Sequence, residues 1–193
     1  EAKKIIADAQ NIYQNDLMLV LAMGDCNMSL ERYIDAISNY KKAIEINEEH
    51  PDSYYKLGAL YLQMGNPIAA VPELKEAIGR AMKHDTNRIM LSNIHSALGL
   101  AFYKMDRIQE AIYAFNEAIS IYHKNLQAWV SLANIRYEYT NDKKGLWACL
   151  EEIKGINKEA ADTLISNFNA KNPNWELVGT LVKLNVISRI FFH

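Results

Sequence analysis

The sequence has little proline, glycine or cysteine, and each shortage disfavours a class of protein. Only 4 prolines and 8 glycines occur among 193 residues, which is few for a fold of many strands and turns, so helices are favoured. The 2 cysteines, Cys26 and Cys149, form no CxxC pair, and neither a disulfide framework nor a zinc site is expected. We expect both thiols to be buried among apolar side chains, in a protein of the reducing cytoplasm.

Neither the charge nor the hydropathy of the sequence indicates nucleic-acid binding or a transmembrane helix. The net charge is −2 and the isoelectric point about 6.2, whereas domains that bind nucleic acid usually carry a basic stripe and a pI above roughly 9. No apolar run reaches the length of about 18 residues that would indicate a transmembrane helix. Because the chain begins at Glu1 and ends abruptly at His193, we expect it to be a fragment of a longer protein.

What the chain does contain is an internal repeat. The clearest unit contains, in order, Tyr54, Leu57-Gly58, Tyr61, Ala70, Leu74 and Ala77. The same spacing recurs as His95, Leu98-Gly99, Phe102, Ala111, Phe115 and Ala118, and earlier as Val20, Met23-Gly24, Asn27, Ala36, Tyr40 and Ala43. Weaker copies follow at Trp129, Leu132-Ala133, Arg136, Gly145 and Cys149, and at Trp175, Val178-Gly179 and Val182.

The spacing within a unit predicts two packed helices. Apolar residues at i, i+3, i+4 and i+7 form one face of a helix. A glycine inside a helix costs about 1 kcal/mol relative to alanine, so glycines recurring in register predict a place where a second helix crosses closely. The alanines of the second helix are the expected small partners, and the aromatic residues fill the gaps between pairs.

The period and the order of residue types resemble the tetratricopeptide repeat family. Gly24 to Gly58 is 34 residues, Gly99 to Ala133 is again 34, and Gly58 to Gly99 is 41. The resemblance implies an all-α, right-handed superhelical solenoid of antiparallel helix pairs, with about 11 helices and no strand. Seven extra residues near 79–91 are expected to lengthen the neighbouring helices, and Gly145, in place of the usual alanine, suggests looser packing.

Turn signals such as Gly65-Asn66-Pro67 and His50-Pro51 place the helix boundaries. We expect helices at 1–14, 17–29, 31–47, 52–64, 67–83, 87–104, 107–122, 126–140, 143–154, 157–169 and 173–190. A single helical-repeat domain would then cover 1–193. In it, 1–14 is the second helix of a truncated repeat, 17–50, 51–91, 92–125 and 126–171 are repeats, and 172–193 is a partial repeat or a capping helix.

No motif for catalysis stands out. The 5 histidines form no H-E-x-x-H pair, no glycine-rich phosphate loop or G-x-S-x-G is present, and no cysteine stands beside a histidine. His95 occupies the bulky aromatic position of its repeat, so core packing is expected there. The sequence therefore predicts no catalytic residue, no cofactor and no metal ligand.

The resemblance does imply a binding surface, because the first helices of such a solenoid line a concave groove. The predicted partner-binding residues are Tyr55, Ala59, Leu62, Gln63, Ser96, Leu100, Tyr103, Lys104, Val130, Asn134 and Tyr137. Met18, Leu21, Asp25, Met28 and Glu138 are further members of the predicted face. Tyrosine combines a large contact area with a polar tip and is enriched at interfaces.

Family members that hold the acidic C-terminus of heat-shock chaperones carry a basic carboxylate clamp across these helices. The corresponding residues here are Leu21, Asp25, Lys56, Asn93 and Ala97. Since Asp25 would repel a carboxylate, a chaperone-tail adaptor is disfavoured. The predicted occupant is an extended or helical protein segment of moderate polarity.

Three functions remain open on the sequence alone. The first is an adaptor that binds a protein or peptide in the groove. The second is a structural module that self-associates as a homo-oligomer through an apolar end, formed by Val186, Ile187, Ile190, Phe191 and Phe192. The third is a regulatory or targeting array of an enzyme that lies outside these residues. An RNA-binding repeat is opposed by the acidic balance.

Overall fold

A computed structural model describes residues 15–84, 87–140 and 142–171, and these ranges form helices joined by short turns. The helices are α1 (Leu17–Ser29), α2 (Tyr33–Ile46), α3 (Pro51–Gln63), α4 (Pro67–Lys83), α5 (Arg88–Lys104), α6 (Ile108–Ile121), α7 (Leu126–Glu138), α8 (Lys143–Ile156) and α9 (Lys158–Lys171). No strand occurs in these ranges, which confirms the all-α prediction. The helices predicted at 1–14 and 173–190, and the apolar end from Val186 to Phe192, lie outside the described residues.

The turn between the two helices of a pair has the same geometry in three successive repeats. Its central residue is left-handed each time, at Glu31 (φ 58°), Gly65 (φ 74°) and Asp106 (φ 58°). The next N–H donates back five residues, from Arg32 to the Asn27 carbonyl, from Asn66 to Tyr61 and from Arg107 to Phe102, at 2.8, 2.8 and 2.9 Å. This Schellman arrangement ends the first helix, and it explains why α2 begins at Tyr33 rather than at residue 31 as predicted.

Two compact units divide the chain, one covering Glu1–Ala128 and the other Trp129–His193. In the first unit α1 packs with α2, α3 with α4 and α5 with α6. The residues that fill these pairs are 0% exposed and repeat in register as Ala36, Tyr40 and Ala43, as Ala70, Leu74 and Ala77, and as Ala111, Phe115 and Ala118. The core therefore follows the predicted repeat.

The recurring glycines have the predicted packing role. A Cβ atom added at Gly99 would lie 2.8 Å from Cε1 of Phe115, and one added at Gly58 would lie 2.7 Å from Cγ of Leu74. At Gly24 the ring of Tyr40 would be closer still. Ordinary carbon–carbon contacts are about 3.5–4.0 Å, so each glycine leaves room for the large side chain of its partner helix.

The extra residues near 79–91 lengthen α4 and α5 to 17 residues each, as predicted. In the second unit Gly145 has a different role from the one expected. A Cβ atom there would overlap the Arg136 guanidinium and the Asp142 carboxylate, which form an ion pair across this position. Polar groups therefore fill the space beside this glycine, and looser packing of this repeat stays a prediction.

The two cysteines differ from each other. Cys149 is 1% exposed, and burial raises the pKa of its thiol to about 11. Cys26 is exposed on α1, so the expectation of two buried thiols holds for Cys149 only. The apolar pattern of α1 did not reveal this, because Cys26 lies on the side of the helix opposite Gly24 and the core.

Candidate functional site

A groove of about 540 Å³ lies in the first unit over the faces of α3 and α5. Its lining contains seven of the residues predicted from sequence, namely Tyr55, Ala59, Leu62, Gln63, Ser96, Leu100 and Lys104, together with Asn93, Ala97 and Gln127. Tyr103, which was also predicted, is half-buried and does not line this groove. We call this set of ten lining residues the α3–α5 groove.

Helical periodicity explains which side chains meet there. Asn93, Ala97, Leu100 and Lys104 are spaced i, i+4, i+7 and i+11 along α5, which places them in one stripe. Tyr55, Ala59 and Leu62 have matching spacing on α3, and alanine in both helices keeps the middle of the groove open. At 1.5 Å per residue, the α5 stripe is about 16 Å long from Asn93 to Lys104.

Buried polar contacts fix the end of the groove near Asn93. Asn125 is 5% exposed, and its amide Nδ2 donates to Oγ of Ser92 at 2.7 Å and to Oγ of Ser96 at 3.0 Å. Its Oδ1 accepts from the N–H of Ala128 at 3.0 Å in the first turn of α7. Ser92 in turn donates to the carbonyl of Ala118 at 2.7 Å. One asparagine therefore joins α5, α6 and the start of α7.

Sequence reasoning missed Asn125. The signal available was an asparagine immediately before a helical run, which is a common N-cap. That signal predicts the bond to the N–H of Ala128, but it does not predict the two serines, because they come from a helix 29 to 33 residues earlier.

Lys104 is the one charged side chain in the α3–α5 groove. It is exposed at the last residue of α5 and makes no ion pair with any residue of the described ranges. Burial, with Asp52 nearby, raises the pKa of Tyr55, so this hydroxyl is neutral near pH 7. The groove thus combines a single cation with apolar, amide and hydroxyl groups.

The predicted residues of α1 have another role. The carboxylate of Asp25 binds Nζ of Lys56 at 2.9 Å and accepts a hydrogen bond of 2.7 Å from the hydroxyl of Tyr40. Leu21 is buried in the core, and none of Met18, Leu21, Asp25 and Met28 lines the α3–α5 groove. Since Asp25 neutralises Lys56, the lysine at the clamp position is already paired.

The remaining predicted residues fall in the second unit. Val130 and Asn134 line a pocket of about 820 Å³ with Asn157, which precedes α9, and with the α9 residues Glu159, Ala160, Thr163, Leu164, Asn167, Phe168, Ala170 and Lys171. The Tyr137 ring stacks on Phe168 with centroids 4.2 Å apart, and its hydroxyl donates to the Phe168 carbonyl at 3.2 Å. Glu138 is paired with Lys171 at 3.0 Å. Tyr137 thus has a packing role between α7 and α9.

The described ranges hold no group of three or more histidine, cysteine or acidic side chains positioned for a metal ion. Burial lowers the pKa of His95, and its Nδ1 has no hydrogen-bond partner in these ranges. Among the described helices, none is long and apolar enough to span a membrane.

Comparison with known proteins identifies the repeat. A model described as TPR repeat matches residues 24–65, and one described as Tetratricopeptide repeat matches residues 50–124. Together they span 24–124, which is 101 of the 193 residues. The "Small glutamine-rich tetratricopeptide repeat-containing protein 2" of Mycosarcoma maydis is 31% identical over 100 residues, covering 52% of this chain and 26% of that protein. The chain thus matches about a quarter of that relative's length.

Solved structures share the fold. A chain of the APC/C hetero-tetramer Cut9-Hcn1 has a TM-score of 0.71 at 18% identity, over 84% of this chain and 31% of that one. YrrB, described as a TPR protein with an unusual peptide-binding site, has a TM-score of 0.62 at 15% identity, over 87% of this chain and 84% of its own. Repeats of this kind generally form scaffolds for protein interactions. By its sequence matches, its helix pairs and its recurring glycines, the chain belongs to the tetratricopeptide repeat family.

Proposed function

We propose that the chain is a protein-interaction module that binds a peptide or protein segment in the α3–α5 groove and carries no catalysis of its own. The observation that supports this most is the lining of that groove. It combines an open apolar middle at Ala59, Ala97 and Leu100 with amide groups at Gln63 and Asn93. Ligand sites are mostly apolar with a few placed polar groups, and this composition fits a polypeptide.

A protein segment suits this groove better than nucleic acid does. Phosphate contacts dominate nucleic-acid affinity and need several cations, whereas the lining offers Lys104 alone. YrrB, which shares the fold, is described as having a peptide-binding site, and this supports a peptide as occupant. The Asn125 contacts add further support, because they fix Ser96 and so keep one end of the groove in shape before a partner arrives.

The test is a selection of random 12-residue peptides displayed on phage against the immobilised chain. Ala97→Trp fills the middle of the groove, and Lys75→Trp is the matched control because Lys75 is exposed on α4 and absent from the lining. We expect selected peptides to bind the native chain and the Lys75→Trp variant but to lose at least ten-fold in affinity for Ala97→Trp. Equal binding to all three, at equal helicity, would refute the groove as the site.

A further inference from the structure

Some lysines of the first unit are paired with carboxylates and Lys104 is not, and this difference indicates which charge the groove can bind. In the first unit, Lys56 is paired with Asp25 at 2.9 Å and Lys83 with Glu49 at 2.8 Å, and neither lysine lines the groove. Lys104 differs, since it lines the groove and has no carboxylate partner in the described ranges. No acidic side chain lines the groove, although Asp52 lies near Tyr55, so a carboxylate placed at Lys104 would meet the one charged side chain of the lining.

The positions along α5 give a distance between recognition points. Asn93 lies at one end of the stripe and Lys104 at the other, about 16 Å apart at 1.5 Å per residue. An extended chain advances about 3.3 Å per residue, so roughly five residues cover that length. Alternate side chains of an extended segment point to the same side. Residues one, three and five of such a segment would therefore face the groove.

The amide groups favour an extended segment over a helical one. A helix satisfies its internal N–H and C=O groups by itself, and it would leave Gln63 and Asn93 with only side chains to bond. An extended segment exposes its backbone groups, each of which requires a partner when buried. Amide side chains both donate and accept. The Asn93 Oδ1 already accepts a long hydrogen bond of 3.4 Å from Nδ2 of Asn125, which orients its NH₂ group as a donor to such a backbone, while Gln63 can donate or accept.

The lining also favours an acidic side chain over a chain terminus. Capture of a terminal carboxylate usually relies on several backbone N–H groups arranged as a nest. Lys104 is the last residue of α5, where the helix end presents carbonyl groups rather than free N–H groups. A lysine ammonium acts as a point charge with rotatable donors, which suits a single Asp or Glu within a continuing chain.

We propose that the α3–α5 groove recognises an extended internal segment of a partner protein, with a polar residue near Asn93, an aliphatic residue over Ala59 and Ala97, and an Asp or Glu two residues further on at Lys104. This inference rests on the proposed function, since it assumes that the groove is occupied by a peptide. It assigns that peptide a five-residue pattern with a polar residue at position one, an aliphatic residue at position three and an acidic residue at position five, read in either chain direction.

The experiment uses peptides from the phage selection, synthesised with acetylated and amidated ends so that no terminal carboxylate is present. Each acidic residue is replaced in turn by Gln or Lys, and Kd is measured by fluorescence anisotropy. The proteins are the native chain, Lys104→Met, Lys104→Glu and the control Lys75→Met. Exposed ion pairs contribute little individually, so we expect one acidic residue whose change to Gln weakens binding about two- to five-fold to the native chain and to Lys75→Met.

The same change is expected to have no effect on Lys104→Met, and Lys104→Glu is expected to prefer the Lys-containing peptide. Three outcomes would overturn the inference and leave the proposed function intact, each for peptides that lose affinity for Ala97→Trp. In the first, their affinity is the same for the native chain and the Lys104 variants; in the second, they bind only with a free C-terminus; in the third, they bind more tightly when locked as a helix. If Ala97→Trp affects no selected peptide, or if none is selected, the proposed function and the inference fail together.

Discussion

Replacing Gly99 with alanine adds one methyl group where the ring of Phe115 already lies. The added Cβ atom would be 2.8, 2.9 and 3.0 Å from Cε1, Cδ1 and Cζ of that ring, against about 3.5–4.0 Å for an ordinary contact. Phe115 is 0% exposed, so its ring has no solvent-filled space into which it can move. Overpacking of this kind costs about 1–3 kcal/mol.

The same substitution also raises the helix propensity at this position, and a substitution at a second glycine measures that contribution separately. Alanine is better than glycine inside a helix by about 1 kcal/mol, so the net effect at Gly99 is a loss of about 0–2 kcal/mol. Gly79 is an exposed residue of α4 with nothing within 4 Å of an added Cβ atom. Gly79→Ala therefore reports the helix gain alone, and the difference between the two variants is the overpacking cost of about 1–3 kcal/mol.

Urea unfolding followed by circular dichroism at 222 nm gives both free energies of unfolding. We expect Gly79→Ala to be more stable than the native chain and Gly99→Ala to be less stable than Gly79→Ala by at least 1 kcal/mol. Combining Gly99→Ala with Phe115→Leu removes the ring edge, so the alanine is expected to be tolerated better in that background. If Gly99→Ala stabilises the native chain as much as Gly79→Ala does, close helix crossing does not explain the recurring glycines.

Other perturbations follow from the same contacts. Gly65→Ala is expected to lower the free energy of unfolding by about 1 kcal/mol and Glu31→Gly to raise it by a similar amount, because both residues have left-handed backbone conformations. Thermal unfolding that shows Gly65→Ala to be stabilised or Glu31→Gly to be destabilised would contradict this. Asn125→Ala is expected to cost about 1–3 kcal/mol and to speed hydrogen exchange at the amide of Ala128, and unchanged exchange would argue against its capping role. Hydrogen bonds from Lys83, and then from His84, lower the pKa of Glu49 to about 2. Its stabilising contribution is thus present above its unfolded pKa of roughly 4.3 and is lost as the pH falls towards 2. A ¹³C titration of Glu49 is expected to shift back towards the ordinary value in Lys83→Met, and no shift would exclude that pairing in solution.

The helices and the core could be predicted because the same physical requirement recurs in several repeats. Ala36, Ala70 and Ala111 are all 0% exposed, and each lies at the same position in its unit. A single alanine carries little information, but three in register identify a face that a neighbouring helix must approach.

Contacts that involve one repeat alone could not be predicted in this way. Leu62 and Tyr103 occupy the same position of their units, 41 residues apart, yet Leu62 lines the α3–α5 groove and Tyr103 does not. Helical phase fixes the side of the helix on which a residue lies, but the residues packed beside it differ from one unit to the next. Gly145 illustrates the same limit, since the ion pair that fills its space has no counterpart in the repeat pattern.

The first two repeats show how packing can decide which charges remain for a partner. Asp25 on α1 accepts a hydrogen bond from the hydroxyl of the buried Tyr40 and forms an ion pair with Lys56 on α3. One carboxylate therefore contacts both the core and the neighbouring repeat. The sequence suggested that Asp25 would act by repelling an acidic ligand, but its position gives it a different effect. It neutralises Lys56, the residue that follows Tyr55 in the sequence, and Lys104 is the cation that lines the groove. The Asp25–Lys56 ion pair therefore belongs to the contact between repeats rather than to the groove lining.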